Sequence, residues 1–149
     1  MNEGSSVSDP AVLHAAVFDT NVIVSGLLSP HGAPGRIVDW LQQGSLQAVL
    51  DQRCAAEYEE VLGRPELHLP QKEVSVVLGR LLDNAQWVEI APWEAASGLP
   101  DPDDAPFLEC ARKAGCALVT GNRRHFSGKA ARGIKVLAPS DFVRHISAP

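Results

Sequence analysis

Ala15-Ala-Val-Phe-Asp-Thr-Asn21 decides the fold: four apolar residues run straight into an acid, a hydroxyl and an amide. So short an apolar run, bounded by polar residues, reads as a strand buried on both faces, as in parallel sheets covered by helices. Working outward, Asn21 to Leu28 predicts a helix, broken at Ser29-Pro-His-Gly-Ala-Pro34. Pro34 opens a second helix with Ile37, Val38, Trp40 and Leu41 on its buried side, and Gly44 stops it. Leu46 to Leu50 is a second strand, and Asp51 can cap a helix running to about Leu62. Val74, Val77, Leu78, Leu81 and Leu82 recur at helical spacing after Pro70. Trp87–Ile90, Cys116–Val119 and Ile134–Leu137 read as further strands, with a helix through Phe107, Leu108 and Ala111. Ser140 is expected to cap a closing helix, and Trp40, Trp87 and Trp93 read as core. Strands alternating with helices predict an α/β protein: a doubly wound, three-layer α/β/α domain with a central parallel sheet. Residues 14–147 are expected to form this single domain, behind a flexible tail over 1–13.

A chain of 149 residues, 45% hydrophobic and 21% charged, has the size and balance of one globular domain, which excludes disorder as its main state. No apolar run reaches the roughly 18–20 residues a membrane span needs, and the start lacks a secretory signal pattern. Cys54, Cys110 and Cys116 form no CxxC pair, which fits reduced thiols and a cytoplasmic location. The net charge of −5 argues against a protein that coats DNA. Its distribution is uneven. Arg112, Lys113, Arg123, Arg124, Lys129, Arg132 and Lys135 follow one another with no acid between them, just after an acidic stretch from Glu94 to Glu109. Carboxylates for cations beside a positive rim for a polyanion suit metal-assisted phosphodiester chemistry, although surface scatter gives the same count.

In doubly wound sheets ligands collect beyond the carboxyl ends of the strands. Asp19-Thr-Asn21 and Thr120-Gly-Asn122 both fall there. An acid set against a buried strand end is costly unless paired or metal-bound, yet a helix N-cap would equally explain Asp19. The helix after Asp51 turns Cys54, Ala55, Tyr58, Val61 and Leu62 inward and Glu60 outward. Glu57 and Glu59 flank that stripe, and periodicity does not choose between them. In Asp101-Pro-Asp-Asp104, both Asp103 and Asp104 approach the inward face of the helix that follows, while Glu109 points away. Capping accounts for one of these acids more easily than for three. The five histidines show no HxH or HExxH spacing, and neither a GxSxG elbow nor a phosphate-binding GxxxxGK[ST] loop is present.

Taken in order, Val17-Phe-Asp-Thr-Asn-Val-Ile-Val24, Glu57-Tyr-Glu-Glu-Val-Leu-Gly-Arg-Pro65, the segment from Asp101 to Ala111 and Leu118-Val-Thr-Gly-Asn122 resemble the PIN-domain family. The branch they are most similar to is that of toxin components of type II toxin–antitoxin systems. The resemblance implies a ribonuclease whose acids hold one or two divalent cations, Mg²⁺ or Mn²⁺. By likeness, Asp19 is the first acid, Glu57 the helix-borne glutamate and Asp104 the acid opening the later helix, leaving Asp101 and Asp103 as capping or supporting groups. Many relatives carry an aspartate where this chain has Asn122, which offers a carbonyl oxygen but no charge, so a second cation is expected to bind more weakly. Thr20, Asn21 and Thr120 would support the acids. Arg123, Arg124, His125 and Lys129 would hold RNA phosphates, with a solvated loop as the plainer reading. The partners implied are RNA, a cognate antitoxin protein and a second copy of the chain, with no membrane.

Three alternatives stand beside this reading, one of them DNA cleavage or replication-primer flap processing by the same site. A phosphatase of the haloacid-dehalogenase type also places an aspartate after the first strand, but its nucleophile motif requires an acid two residues on, where this chain has Asn21. A non-catalytic RNA- or protein-binding module would keep the fold with a weakened site.

Overall fold

Five parallel strands carry the apolar runs: β1 (His14–Phe18), β2 (Leu46–Leu50), β3 (Gln86–Trp87), β4 (Leu118–Val119) and β5 (Val136–Leu137). In the computed structural model, which describes residues 14–94, 99, 101–128 and 131–147, they form one sheet in the order β3-β2-β1-β4-β5. Ala16 stands beside Ala48, Phe18 beside Val119, and Val119 beside Leu137. The connections are helical: α1 (Thr20–Leu28), α2 (Ala33–Gln43), α3 (Gln52–Leu62), α4 (Gln71–Asn84), α5 (Ala105–Ala114) and α6 (Pro139–Ser147). With α1, α4 and α6 packed on α2, and α5 lying over β1 and β2, this is the three-layer α/β arrangement the alternation predicts.

Local chemistry explains the ends of these elements. Pro34 lies in the first turn of α2, and Gly44 closes that helix in the left-handed conformation at φ 81°. Asp51 caps α3 by accepting from the backbone N–H of Arg53 and Cys54. Five expectations need correction. β4 and β5 each begin two residues later than expected, after Cys116 and Ile134 respectively. β3 is shorter than Trp87–Ile90: Val88 N still donates to Leu50 O at 2.9 Å, but ladder pairing ends with Trp87. Because β3 is an edge strand, Trp87 is 45% exposed rather than core, whereas Trp40 does pack against the core. The closing helix starts at Pro139, which suits the first helical position, so Ser140 lies within its first turn. Glu109 does not point away but is buried, with Oε1 2.8 Å from Arg53 Nη2. The Trp93 side chain and Lys129 lie outside the described residues.

The core is built on Phe18, Tyr58, Phe107 and the Val, Ile and Leu residues around them. Phe18 meets Phe142 edge-on at 5.5 Å, and Tyr58 lies 6.0 Å from Phe107. The wholly buried Tyr58 hydroxyl donates to the carbonyl of Phe18. This bond ties α3 to the last residue of β1, so the residues next in sequence, Glu57 and Asp19, are carried to the same edge.

The passage from α1 into α2 is fixed by a close crossing of backbone on backbone. A Cβ on Gly35 would fall 2.0 Å from the carbonyl oxygen of Pro30, and one on Gly26 would fall 2.6 Å from that of Pro34. Both neighbours are backbone and have little freedom to retreat. Gly35→Ala is therefore expected to destabilise the fold by about 1–3 kcal/mol, lowering the melting temperature by several degrees. Circular-dichroism melts check this, and an unchanged melting temperature would mean that the crossing is looser than the geometry shows.

Candidate active site

The chain leaves β1 toward β2 and β3 on one side, and β4 and β5 lie on the other. The crevice beyond the carboxyl ends of β1 and β4 is thus the topological switch point of the sheet, where doubly wound folds bind ligands. Asp19 follows β1 directly, with its backbone N–H donating to Val119 O at 2.9 Å. It is buried, and Thr120, just past β4, donates its hydroxyl to Asp19 Oδ2 at 2.7 Å. Asn21 spans the same gap, donating from Nδ2 to Asp19 Oδ2 at 3.1 Å and accepting at Oδ1 from Gly121 N at 3.2 Å. Although Asp19 sits at the N-cap position of α1, its side chain makes no capping bond. Capping alone therefore does not account for this residue, although the N–H groups of Thr20 and Asn21 still favour its charged form.

Glu57 and Glu59, which periodicity left equal, are separated by the fold. Glu57 is half-buried and accepts the Thr20 hydroxyl at 3.0 Å on Oε2, while Glu59 is exposed. The acids after Pro100 divide as well. Asp101 caps the 3-10 turn Pro102–Asp104 by accepting from Asp103 N, and Asp103 is exposed. Asp104 is buried and makes no capping bond to α5. His125 Nδ1 stands 3.2 Å from Asp104 Oδ2, a charge contact without hydrogen-bond alignment, and no described residue hydrogen-bonds that oxygen. His125 Nε2 lies 2.9 Å from Asn122 Nδ2, and Asn122 N donates to Thr120 Oγ1 at 3.0 Å. Because the amide Nδ2 only donates, His125 Nε2 is the acceptor in that contact and Nδ1 is the ring nitrogen that faces Asp104.

Asp19, Glu57 and Asp104, with Thr20, Asn21, Thr120 and Asn122, thus form one neighbourhood. The first two acids are held by hydroxyls and the third faces an imidazole. Its electrostatics are those of a site short of positive charge. Burial pushes the Asp19 carboxyl up, against the hydrogen bond from Thr120. Burial likewise raises Glu57, to which the charge of Asp19 adds. Asp104 is raised to about 6, by burial first and then by the charges of Asp19 and Asp101, with His125 offsetting part of it. A buried carboxylate oxygen with no hydrogen bond, among acids that all resist ionisation, fits a hard divalent cation.

A second group invites the same question. Among the described residues, Asp51, Cys54 and Cys110 have donor atoms that all lie within 4.8 Å of one another, closer than those of the three site acids. This group fits a cation poorly. Both Asp51 oxygens are already engaged, by the α3 backbone and by the Arg53 side chain. The contact with Cys110 and burial hold the Cys54 thiol far above its ordinary pKa, so it stays protonated and ligates weakly.

The basic stretch divides too. Arg123 and Arg124 are exposed in the 3-10 turn Arg123–Phe126, immediately after Asn122, and His125 reaches the carboxylates. Arg112, Arg132 and Lys135 instead line a cavity at the opposite edge of the sheet, so three of the seven residues of the expected positive rim are elsewhere. The contact between His125 and Asp104 was invisible in the sequence, because the two lie on separate loops and share no spacing motif.

A raised carboxyl pKa means that the folded state binds the proton more tightly than the unfolded one. Asp104 therefore costs little stability below its unfolded pKa near 4 and most above about 6. In EDTA, Asp104→Asn is expected to melt higher than the wild type at pH 7.5, with the gain shrinking toward pH 4. Solvent screening limits the gain to about 1 kcal/mol. A gain that grew as the pH fell would contradict the assignment.

Comparison with known proteins adds the family. The crystal structure of PAE2754 from Pyrobaculum aerophilum is similar over 97% of this chain and 96% of that one, with a TM-score of 0.55 and 14% identity. At that identity the likeness speaks for the fold alone. No curated protein matches the chain. The sequence pattern of the PIN domain matches residues 15–124, a stretch that begins in β1, spans α3 and the start of α5, and ends just past Asn122. All four polar segments that the fold brings to the switch point fall inside it, and the chain belongs to the PIN-domain family.

Proposed function

We propose that this chain is an endoribonuclease dependent on Mg²⁺ or Mn²⁺, with Asp19, Glu57 and Asp104 as cation ligands and Asn122 as a neutral fourth. The observation that carries the proposal is the meeting of three acids from β1, α3 and the start of α5, one with an oxygen that no described residue hydrogen-bonds. Two ligands of one small cation lie at most about 4.2 Å apart, twice a bond of about 2.1 Å. The three acids do not all lie within 4.8 Å of one another, so ligation by all three requires their side chains to close on the ion or to reach it through a bound water. A divalent cation bound there supplies a water of lowered pKa and positive charge for the phosphoryl oxygens. The chain's own residues do the rest. Thr120 and Asn21 hold the Asp19 carboxyl, and Thr20 holds that of Glu57, which limits the directions in which each can turn. The Asn122 amide is held through Nδ2, which turns its Oδ1 free for ligation. Arg123 and Arg124 stand where a strand crossing the acids would place phosphates, and Lys129 is proposed to extend that track.

The fuller reading is a toxin of a type II toxin–antitoxin pair, acting in the cytoplasm on exposed RNA strands, with an antitoxin and a homodimer as partners. It rests on resemblance to that branch of the family. No described helix is long and apolar enough to cross a membrane. The phosphatase rival has no acid at Asn21 to act as its proton donor, and Asn21 is occupied in bridging Asp19 to Gly121.

Cleavage of labelled RNAs tests the proposal. Wild type with Mg²⁺ or Mn²⁺ is expected to cut and to stop in EDTA. Asp19→Asn, Glu57→Gln and Asp104→Asn should each lose about 100-fold or more, while Glu59→Gln stays at the wild-type rate. Thr120→Val should lose roughly 10-fold, because it frees the Asp19 carboxyl without removing it. Undiminished cutting by Asp19→Asn ends the catalytic assignment. RNA binding without any cation-dependent cutting favours the non-catalytic module.

A further inference from the structure

The part of the basic stretch that the carboxylate site does not use has a place of its own. At the amino edge of the sheet a cavity of about 630 Å³ opens between the starts of β1 and β4, the turn before β5, and the ends of α5 and α6. This is within the range of small-molecule sites. Its floor is apolar, with Ala15, Ala117, Leu137 and Phe142, and its rim carries His14, Arg112, Arg132, Lys135 and His145. Among the described residues no Asp or Glu lines it, although the chain as a whole is acidic.

Helix ends account for some of these groups. Arg112 and His145 lie in the last turns of α5 and α6, where the helix dipole alone favours a cation. It accounts for neither Arg132 nor Lys135. Both are exposed outside any helix, and neither has an ion pair with a described residue. They also lie at the opposite edge of the sheet from the carboxylates. β1 separates the two edges with its five residues, a span of about 16 Å. Concentrated positive charge over an apolar floor matches a ligand with the opposite design: a compact multivalent anion on a flat, largely apolar body.

We propose that this cavity is a second binding site, taking a phosphate monoester carried on such a body, of which a mononucleotide is the nearest simple example. The phosphate meets Arg132 and Lys135, and the body lies against Phe142 and Leu137.

The test uses the full chain at low ionic strength in EDTA, so that no divalent cation at the carboxylates recruits phosphate. Titration calorimetry is run with adenosine 5′-monophosphate, inorganic phosphate and adenosine, and the imidazole C–H signals of His14 and His145 are followed by NMR. Adenosine 5′-monophosphate is expected to bind tightest, inorganic phosphate at least 10-fold more weakly and adenosine weakest, with both histidine signals shifting. Arg132→Ala with Lys135→Ala should weaken the monophosphate at least 10-fold while leaving RNA cleavage at the wild-type rate. The far-UV spectrum of the double variant shows whether it is folded. In Asp19→Asn, monophosphate binding should persist, which separates failure here from failure of the ribonuclease reading. Binding of adenosine as tight as that of its monophosphate overturns the proposal. So does unchanged affinity in the double variant, or binding of poly-glutamate in place of the nucleotide.

Discussion

Like charges do not gather in a protein without a reason, and the cost of gathering Asp19, Glu57 and Asp104 shapes this structure. Burial strips all three of water, and the charge of Asp19 further opposes ionisation of Glu57 and Asp104. The fold bears that cost through ordinary packing. An apolar strand ends at Asp19, the Tyr58 hydroxyl binds the carbonyl just before it, and Thr20 and Thr120 steady two of the acids. Asp104 has no such support, and that oxygen is where the arrangement is least satisfied. A site in this condition gains stability from whatever brings positive charge, and His125 supplies only part of it.

The two edges of the sheet divide the chain's charges. Acids collect where the strands end, and the cavity where the strands begin is surrounded by cations with no acid among its described lining residues. Net charge hides this, because −5 averages over both. The separation follows from topology. Parallel strands place every residue that follows a strand on one edge and every residue that precedes one on the other, so Thr120 and Asn122 part from Lys135 and His14.

Much of this was legible in the sequence. Strand ends at Phe18 and Leu50, the helix stop at Gly44 and the cap at Asp51 all follow from local chemistry, which pattern reading captures. So did the placing of Asp19 and Thr120 on one edge, since that needs only strand direction. What pattern missed depends on contacts between distant positions. Glu109 looked outward because its helix stripe says nothing of Arg53, which arrives from α3 to pair with it. Glu57 and Glu59 were indistinguishable until Thr20 was seen to reach one of them. Trp87 looked like core because alternation reports a strand without saying that it lies at the sheet edge.

Anomalous diffraction from crystals soaked in Mn²⁺ would examine the shared-cation account at its centre. It predicts a manganese peak bounded by the carboxyl oxygens of positions 19, 57 and 104, absent from crystals of the Asp19→Asn variant. A peak only beside Asp51, or none at a manganese concentration that supports RNA cleavage, would contradict it.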